Sequence, residues 1–118
     1  MSRSDTFVSG AAEADVRVVL ITVPDGETGA GLARALVQER LAACVNLVPG
    51  VRSFYRWEGT VQDDTELLLL VKTRADRIAA LASRVRDLHP YELPEVLELA
   101  AVGGSAAYLD WVRAEASA

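Results

Sequence analysis

Two runs of consecutive apolar residues dominate the hydrophobic pattern of this chain. The first covers residues 18–21, in a β-branched stretch that ends at Pro24, and the second covers residues 67–71. An uninterrupted apolar run of this length is typical of a strand that is covered on both faces. The pattern therefore predicts two central strands of one sheet.

Two further extended segments, residues 44–57 and 96–102, have mixed polarity. Pro49-Gly50 interrupts the first of them, which a strand tolerates at an edge or at a bulge. The triplet Glu58-Gly59-Thr60 predicts a hairpin turn from this segment into the second apolar run. The second segment is broken by Gly103-Gly104, which predicts the end of a short strand.

Apolar residues at helical spacing predict three helices. Asp25 and Ser105 are placed to cap the first and third helices, and Thr73 with Asp76 has the spacing of a capping box for the second. Pro90 ends that second helix. The apolar positions are Leu32, Ala33, Leu36, Val37 and Leu41 in the first helix, Ile78, Leu81, Val85 and Leu88 in the second, and Tyr108, Leu109, Trp111 and Val112 in the third.

The resulting order is β-α-β-β-α-β with an additional C-terminal helix, which is the order of α+β domains of the ferredoxin-like class. Right-handed crossovers place the first and third strands at the centre of an antiparallel sheet. Residues 16–118 are predicted to form this one domain, and residues 1–15, rich in Ser, Ala, Gly and Asp, a disordered tail. Because both crossover helices lie on one face of the sheet, we expect copies of the same chain to cover the other.

Composition excludes several classes of function. The 118 residues are 51% apolar with a formal net charge of −5, and they contain no cluster of basic and aromatic residues, so no nucleic-acid partner is expected. No apolar run approaches the roughly 20 residues of a membrane span, so no membrane association is expected. Cys44 is the only cysteine, which excludes an intrachain disulfide and favours a cytoplasmic location.

Residues 25–31 follow a strand and open a helix, which is where phosphate-binding loops occur. The segment lacks the Gly-Lys-Ser/Thr ending of such loops. We favour the simpler interpretation, a helix start that contains several glycines.

Cys44 and His89 are the side chains with the chemistry for soft or borderline metal ions. Cys44 is either a ligand or reactive thiol or, as we favour, a small apolar residue at the start of a strand. His89 either serves acid–base or metal chemistry or interacts with the last carbonyls of its helix. Glu92, Glu95 and Glu98 follow His89 in an extended segment and can add oxygen ligands, although a solvated strand edge is the usual interpretation of such a row.

Tyr55 and Trp57 can stack on a ligand or pack at a contact between subunits. An enzyme receives the least support, because the chain has no Gly-x-Ser-x-Gly motif and His89 is the only available base. The outer face of the second helix is predicted to carry Arg74, Arg77, Arg84 and Arg86.

Five separated motifs together resemble the CutA family, the divalent-cation tolerance proteins. The motifs are Leu41-Ala42-Ala43-Cys44-Val45-Asn46, Val48-Pro49-Gly50, Tyr55-Arg56-Trp57-Glu58-Gly59, Lys72-Thr73 and His89-Pro90-Tyr91-Glu92-Leu93-Pro94-Glu95. The likeness extends from about residue 18 to residue 111. It implies a cytoplasmic homotrimer of ferredoxin-like subunits, similar in architecture to the nitrogen-regulatory PII signalling proteins.

The resemblance also bears on metal binding. Where copper binding is assigned in the family, the ligands are a Cys late in the first strand and two adjacent His before the Pro-Tyr pair. These positions hold Ile21, Leu88 and His89 in this chain. An aliphatic side chain cannot ligate a metal, so His89 is the one candidate ligand left for Cu(II) or another divalent cation.

Two functions follow from the resemblance. The first is divalent-cation tolerance by a homotrimer that binds metal directly through His89 and its neighbours. The alternative is a PII-like sensor or scaffold that binds a small ligand or a partner protein in clefts between subunits. The candidate residues for such clefts are Tyr55, Trp57, Glu58, Lys72, Tyr91 and Glu95.

Overall fold

The computed structural model describes residues 6–118. In this part of the chain the strands are β1 (Phe7–Ser9), β2 (Val16–Val23), β3 (Cys44–Trp57), β4 (Thr60–Arg74), β5 (Leu97–Ala100) and β6 (Gly103–Ser105), and the helices are α1 (Gly26–Gln38), α2 (Ile78–Leu88) and α3 (Ala106–Glu115). In the described part of the chain, no helix is both long and apolar enough to cross a membrane.

The main sheet has the strand order β3-β4-β2-β5, and each neighbouring pair is antiparallel. The predicted βαββαβ order with an extra C-terminal helix is therefore confirmed, and the two apolar runs lie in the central strands β2 and β4. In the register of these strands Val19 pairs with Val71 and Ile21 with Leu69. All four side chains are fully buried on the face that the helices cover.

Helices α1 and α2 cover one face of this sheet. Leu36 of α1 and Leu81 of α2 are fully buried in one cluster with Ile21 and Leu69. Helix α1 lies close to the sheet because a glycine faces it: a Cβ at Gly29 would be 3.1 Å from a methyl group of Val23. The core of the domain is the layer between these two helices and the central strands.

The opposite face of the sheet carries apolar side chains that no helix covers in full within the described part of the chain. Alternation along the strands and the pairing of β2 with β4 and β5 place six residues there, which we call the open face: Val18, Leu20, Leu68, Leu70, Leu97 and Leu99. Leu97 is 52% exposed and Leu99 is 46% exposed. Helix α3 packs at one end of the sheet, where Leu109 and Val112 form a second cluster with Val16.

Strands β3 and β4 form a long hairpin, and both irregularities predicted in it are confirmed. The register shifts between Val48 and Val51, at the Pro49-Gly50 pair, which is a β-bulge. At the tip, Glu58 and Gly59 have φ values of 49° and 80°, the left-handed conformation at both central positions of a tight two-residue hairpin turn. Asp25 and Ser105 also cap their helices as predicted, since they accept bonds from the N–H groups of Thr28 and Tyr108.

The predicted capping box of α2 is wrong. The hydroxyl of Thr73 is buried and donates to the carbonyl of Leu41 at 2.7 Å, so it is not available to the helix. The carboxylate of Asp76 accepts a bond from Arg74 at 2.9 Å instead. The chain passes through a 3₁₀ turn, Ala75–Arg77, before α2 begins at Ile78. A tertiary bond has taken the side chain that the local pattern assigned to the cap.

The N-terminal segment also differs from the expected tail. Residues 1–5 lie outside the described residues, but β1 pairs with β6. The Gly103-Gly104 pair, expected to break a strand, lies within β6, and the preceding strand β5 already ends at Ala100. Arg113 binds the carboxylates of Glu13 and Asp15 at 2.7 and 3.0 Å and lowers the pKa of Asp15 through the hydrogen bonds it donates. Among the described residues, regular structure therefore begins at Phe7 rather than at residue 16.

Gly103 makes the pairing of β1 possible, and its substitution tests this contact. A Cβ at Gly103 would lie 2.5 Å from the carbonyl oxygen of Val8. We expect Gly103→Ala to lower the free energy of unfolding by about 1–3 kcal/mol in urea denaturation, because β1 must move away. Hydrogen exchange at the Gly10 N–H, which donates to the carbonyl of Val102, should become faster.

The neighbouring Gly104→Ala is the matched control. A Cβ there would make ordinary contact with Leu109 at 3.5 Å, so we expect its effect to stay below about 1 kcal/mol. Equal effects of the two substitutions would contradict the assigned role of Gly103.

Candidate ligand-binding cleft

A cleft of about 830 Å³ lies between the β3–β4 hairpin and the segment that follows α2. The structure brings four of the six predicted cleft residues together in its wall: Tyr55, Trp57, Tyr91 and Glu95. The cleft is lined by residues of three separate parts of the chain, namely the two hairpin strands, the end of β2 and the segment 90–95.

The hairpin presents aromatic and acidic side chains on the same face. Ser53 pairs with Asp64 and Val51 with Glu66, so alternation puts Tyr55 on the face that carries both carboxylates. The Tyr55 hydroxyl donates a hydrogen bond to Asp64. This bond raises the pKa of Tyr55, since it holds the phenol in its protonated form.

Glu66 is the most buried acidic side chain of the cleft, with 5% of its surface exposed. Its Oε2 accepts a hydrogen bond from the Tyr91 hydroxyl at 2.8 Å. Burial and this carboxylate together raise the pKa of Tyr91 far above its ordinary value. The bond joins the hairpin to the segment after α2. Glu66 was not predicted as a cleft residue, and the only signal for it in the sequence is that it shares the parity of Asp64 in the same strand.

His89 is a buried structural link in this structure. Its Nε2–H donates to the carbonyl of Thr22 at 2.7 Å, and its Nδ1 accepts from the Tyr91 N–H at 3.1 Å. The two rings of His89 and Tyr91 lie 4.7 Å apart. His89 thus fixes the start of the segment 90–95 against the end of β2. The simpler interpretation had the imidazole interact with the last carbonyls of its own helix. It bonds instead to a carbonyl of strand β2.

The three family positions for copper do not form a group of ligands here. Ile21 is fully buried in the core, and Leu88 is 39% exposed at the end of α2. Both ring nitrogens of His89 already have partners, so one of these bonds must break before His89 can ligate a metal. Among residues 6–118 no three His, Cys, Asp or Glu side chains are arranged to hold a metal ion.

The other candidates lie elsewhere in the chain. Lys72 bonds to Asn46 on the same side of the sheet as the open face. Glu58 is in the hairpin turn. Cys44 begins β3 and is half-buried beside Tyr108. The carboxylate of Asp25 occupies the start of α1, at the supposed phosphate loop.

The glutamates at 92, 95 and 98 and the predicted arginines of α2 lie on different parts of the surface. Glu92 and Glu95 line the cleft, whereas Glu98 pairs with Arg17. Arg84 of α2 bonds to Glu39 at 2.9 Å, and Arg74 reaches the carbonyl of Arg113. The arginine row is therefore only partly an outer helix face.

A four-stranded antiparallel sheet with two crossover helices and an elongated hairpin defines an α+β domain of the ferredoxin-like class. The CutA1 divalent ion tolerance protein family matches residues 17–115. The divalent-cation tolerance protein CutA of Thermus thermophilus is 56% identical over 96 residues, which cover 81% of this chain and 93% of that protein. The chain belongs to the CutA family, as the motifs indicated.

Similar proteins occur in animals and in plants. Human protein CutA is 42% identical over 105 residues, which cover 89% of this chain and 59% of the human protein. The chloroplastic CutA of Arabidopsis thaliana is 51% identical over 96 residues, and the match covers 81% of this chain but only 53% of that protein.

Solved structures agree with the fold. The T. thermophilus protein superposes with a TM-score of 0.83 at 54% identity, covering 85% of this chain and 97% of that one. CutA from Synechococcus elongatus gives a TM-score of 0.89 at 36% identity, covering 98% of this chain and all of the other, 100%. A periplasmic CutA from Archaeoglobus fulgidus is also similar, with 32% identity and a TM-score of 0.83 over 86% of this chain and 99% of that one. Relatives are thus named for different compartments.

The link through His89 gives a stability prediction. We expect His89→Ala to lower the free energy of unfolding by about 2 kcal/mol in urea denaturation, because the Thr22 carbonyl and the Tyr91 N–H lose their partner. Leu88→Ala, at the exposed neighbouring position, should cost less than about 1 kcal/mol. Similar losses in the two variants would contradict a structural role for the imidazole.

Proposed function

We propose that this protein serves divalent-cation tolerance as a homotrimer that binds a small ligand in its clefts, in the manner of a PII-like sensor or scaffold. The proposal gives the cleft a binding role rather than a catalytic one. The observation that carries it is the open face, a set of neighbouring apolar side chains on a sheet whose other face packs against two helices.

The open face supports assembly on energetic grounds. Covering a leucine side chain that is exposed contributes about 1.5–3 kcal/mol when burial is complete, and Leu97 and Leu99 are each about half exposed. Contiguous apolar patches of this kind mark contacts with other proteins. The bonded pair Lys72 and Asn46 lies on the same sheet face, where a polar pair can fix the register of the contact. The number of three copies rests on the likeness to the CutA family.

The cleft is continuous with this assembly surface. Glu66 precedes Leu68 by two residues in β4 and so projects from the same side of the sheet. A second chain that covers the open face would therefore lie beside the cleft. Within one chain Glu58 and Lys72 do not line the cleft. In this proposal they contribute to a cleft that is shared with a neighbouring chain.

A cytoplasmic location is part of the same proposal. Cys44 is the one cysteine of the chain and is a free thiol in the structure. A single free thiol is compatible with a reducing compartment.

Substitution within the open face tests the assembly. Leu99→Glu places a charge on a side chain that is already half exposed in one chain, so the fold of the single chain should tolerate it. We expect this variant to sediment as a single chain in analytical ultracentrifugation, because burying an unpaired carboxylate at the contact is costly.

Leu88→Glu is the control for that experiment. Leu88 is exposed to a similar degree, 39% against 46% for Leu99, but it belongs to α2 on the covered side of the sheet. This variant should keep the mass of the unsubstituted protein. Assembly that survives Leu99→Glu would refute the open face as the contact.

Direct metal binding at His89 is tested by calorimetric titration with Cu(II) and Zn(II). We expect the unsubstituted protein and His89→Gln to give the same heats, because both ring nitrogens of His89 are engaged within the fold. Circular dichroism verifies that the variant is folded. A saturable Cu(II) heat that is lost in His89→Gln would instead support the metal-binding function.

A further inference from the structure

The cleft contains a buried carboxylate without a cationic partner in the described part of the chain. Glu66 is 5% exposed, and its one hydrogen bond there comes from the neutral hydroxyl of Tyr91. No lysine, arginine or histidine among residues 6–118 forms an ion pair with it. A buried carboxylate is stabilised when a positive charge accompanies it.

Most of the remaining charges of the cleft have the same sign as that of Glu66. Glu92 and Glu95 also line it, against a single guanidinium, that of Arg56. The Nη1 of Arg56 lies 3.5 Å from the carbonyl oxygen of Gly59, so this group extends toward the hairpin turn. The wall around Glu66 is therefore negative, which opposes an anionic ligand.

The aromatic side chains give the cleft a second reason to prefer a cationic ligand. Tyr55, Trp57 and Tyr91 line it, and both tyrosine hydroxyls donate to carboxylates, Asp64 and Glu66. A phenol that donates to a carboxylate has a more electron-rich ring, and such rings attract cations over their faces. Hard divalent ions prefer a shell of six or more oxygen ligands, which an aromatic wall does not supply.

We infer that the cleft takes a small organic cation, with an ammonium or guanidinium group placed against Glu66 and a short carbon skeleton against Tyr55, Trp57 and Tyr91. This inference rests on the proposed function, since it names the class of ligand for the same cleft. The cation supplies the charge that Glu66 lacks within its own chain, and the aromatic rings cover its carbon atoms.

Matched probes separate charge from shape. The cations are choline, n-butylammonium and n-butylguanidinium, and the neutral counterparts are 3,3-dimethylbutan-1-ol and butan-1-ol, all at constant ionic strength. Trp57 and Trp111 are the two tryptophans, so the indole N–H resonance of Trp57 reports the cleft and that of Trp111 serves as the internal control. We expect at least one cation to shift the Trp57 signal with saturation, at least about tenfold more tightly than its neutral counterpart.

Two variants, each of which removes one carboxylate from a different face of the hairpin, test the role of Glu66. Glu66→Gln should weaken binding of that cation by about tenfold or more, since it removes the charge and keeps the shape. Asp63→Asn removes a carboxylate from the opposite face, where Asp63 pairs with Arg52, and should change the affinity by less than about twofold. The comparison of charged and neutral probes on the unsubstituted protein needs no variant, so it stands even if Glu66→Gln is unfolded.

Several outcomes would overturn the inference. Equal affinity for cations and neutral counterparts, equal shifts at Trp57 and Trp111, or equal effects of the two variants would each do so. If no cation shifted the Trp57 signal, the inference would also be overturned. A basic side chain of a second copy that already occupies the cleft would give this result. If an anionic or neutral metabolite then shifted Trp57 in a screen, the proposed binding function would stand without this inference. If no compound did so, the cleft function itself would fail.

Discussion

The structure depends on one constraint, that a four-stranded sheet has two faces and its crossover helices cover only one. On the covered face Ile21 and Leu69 are fully buried beneath α1 and α2. On the other face Leu97 and Leu99 remain about half exposed within a single chain. Hydrophobic burial drives folding on the first face, and the same effect favours association on the second.

The cleft inherits its geometry from the same sheet. The bulge at Pro49-Gly50 lets β3 continue beyond the core as part of the hairpin, and the hairpin carries its aromatic and acidic residues. His89 then holds the segment after α2 against the end of β2, so that the Tyr91 hydroxyl reaches Glu66. A histidine that family resemblance presents as a metal ligand acts here as a positioning residue for Tyr91.

Features set by local pattern were predicted from the sequence. The two central strands, the bulge, the hairpin turn and the caps at Asp25 and Ser105 depend on neighbouring residues alone, and all are present. Features set by distant contacts were not. The hydroxyl of Thr73 bonds to Leu41 instead of capping α2, and Gly103 accepts strand β1 because it lacks a Cβ. Glu66 was missed for the same reason, since only the register of the folded hairpin brings it to the cleft.

The assembly claim is tested most directly by the mass of the unsubstituted protein in solution. Multi-angle light scattering across a dilution series should give a constant mass of three chains, each of 12.7 kDa. This result would mean that the open face is covered in the working form of the protein. A mass of one chain at every concentration would contradict the account, because the apolar side chains of that face would then remain in water.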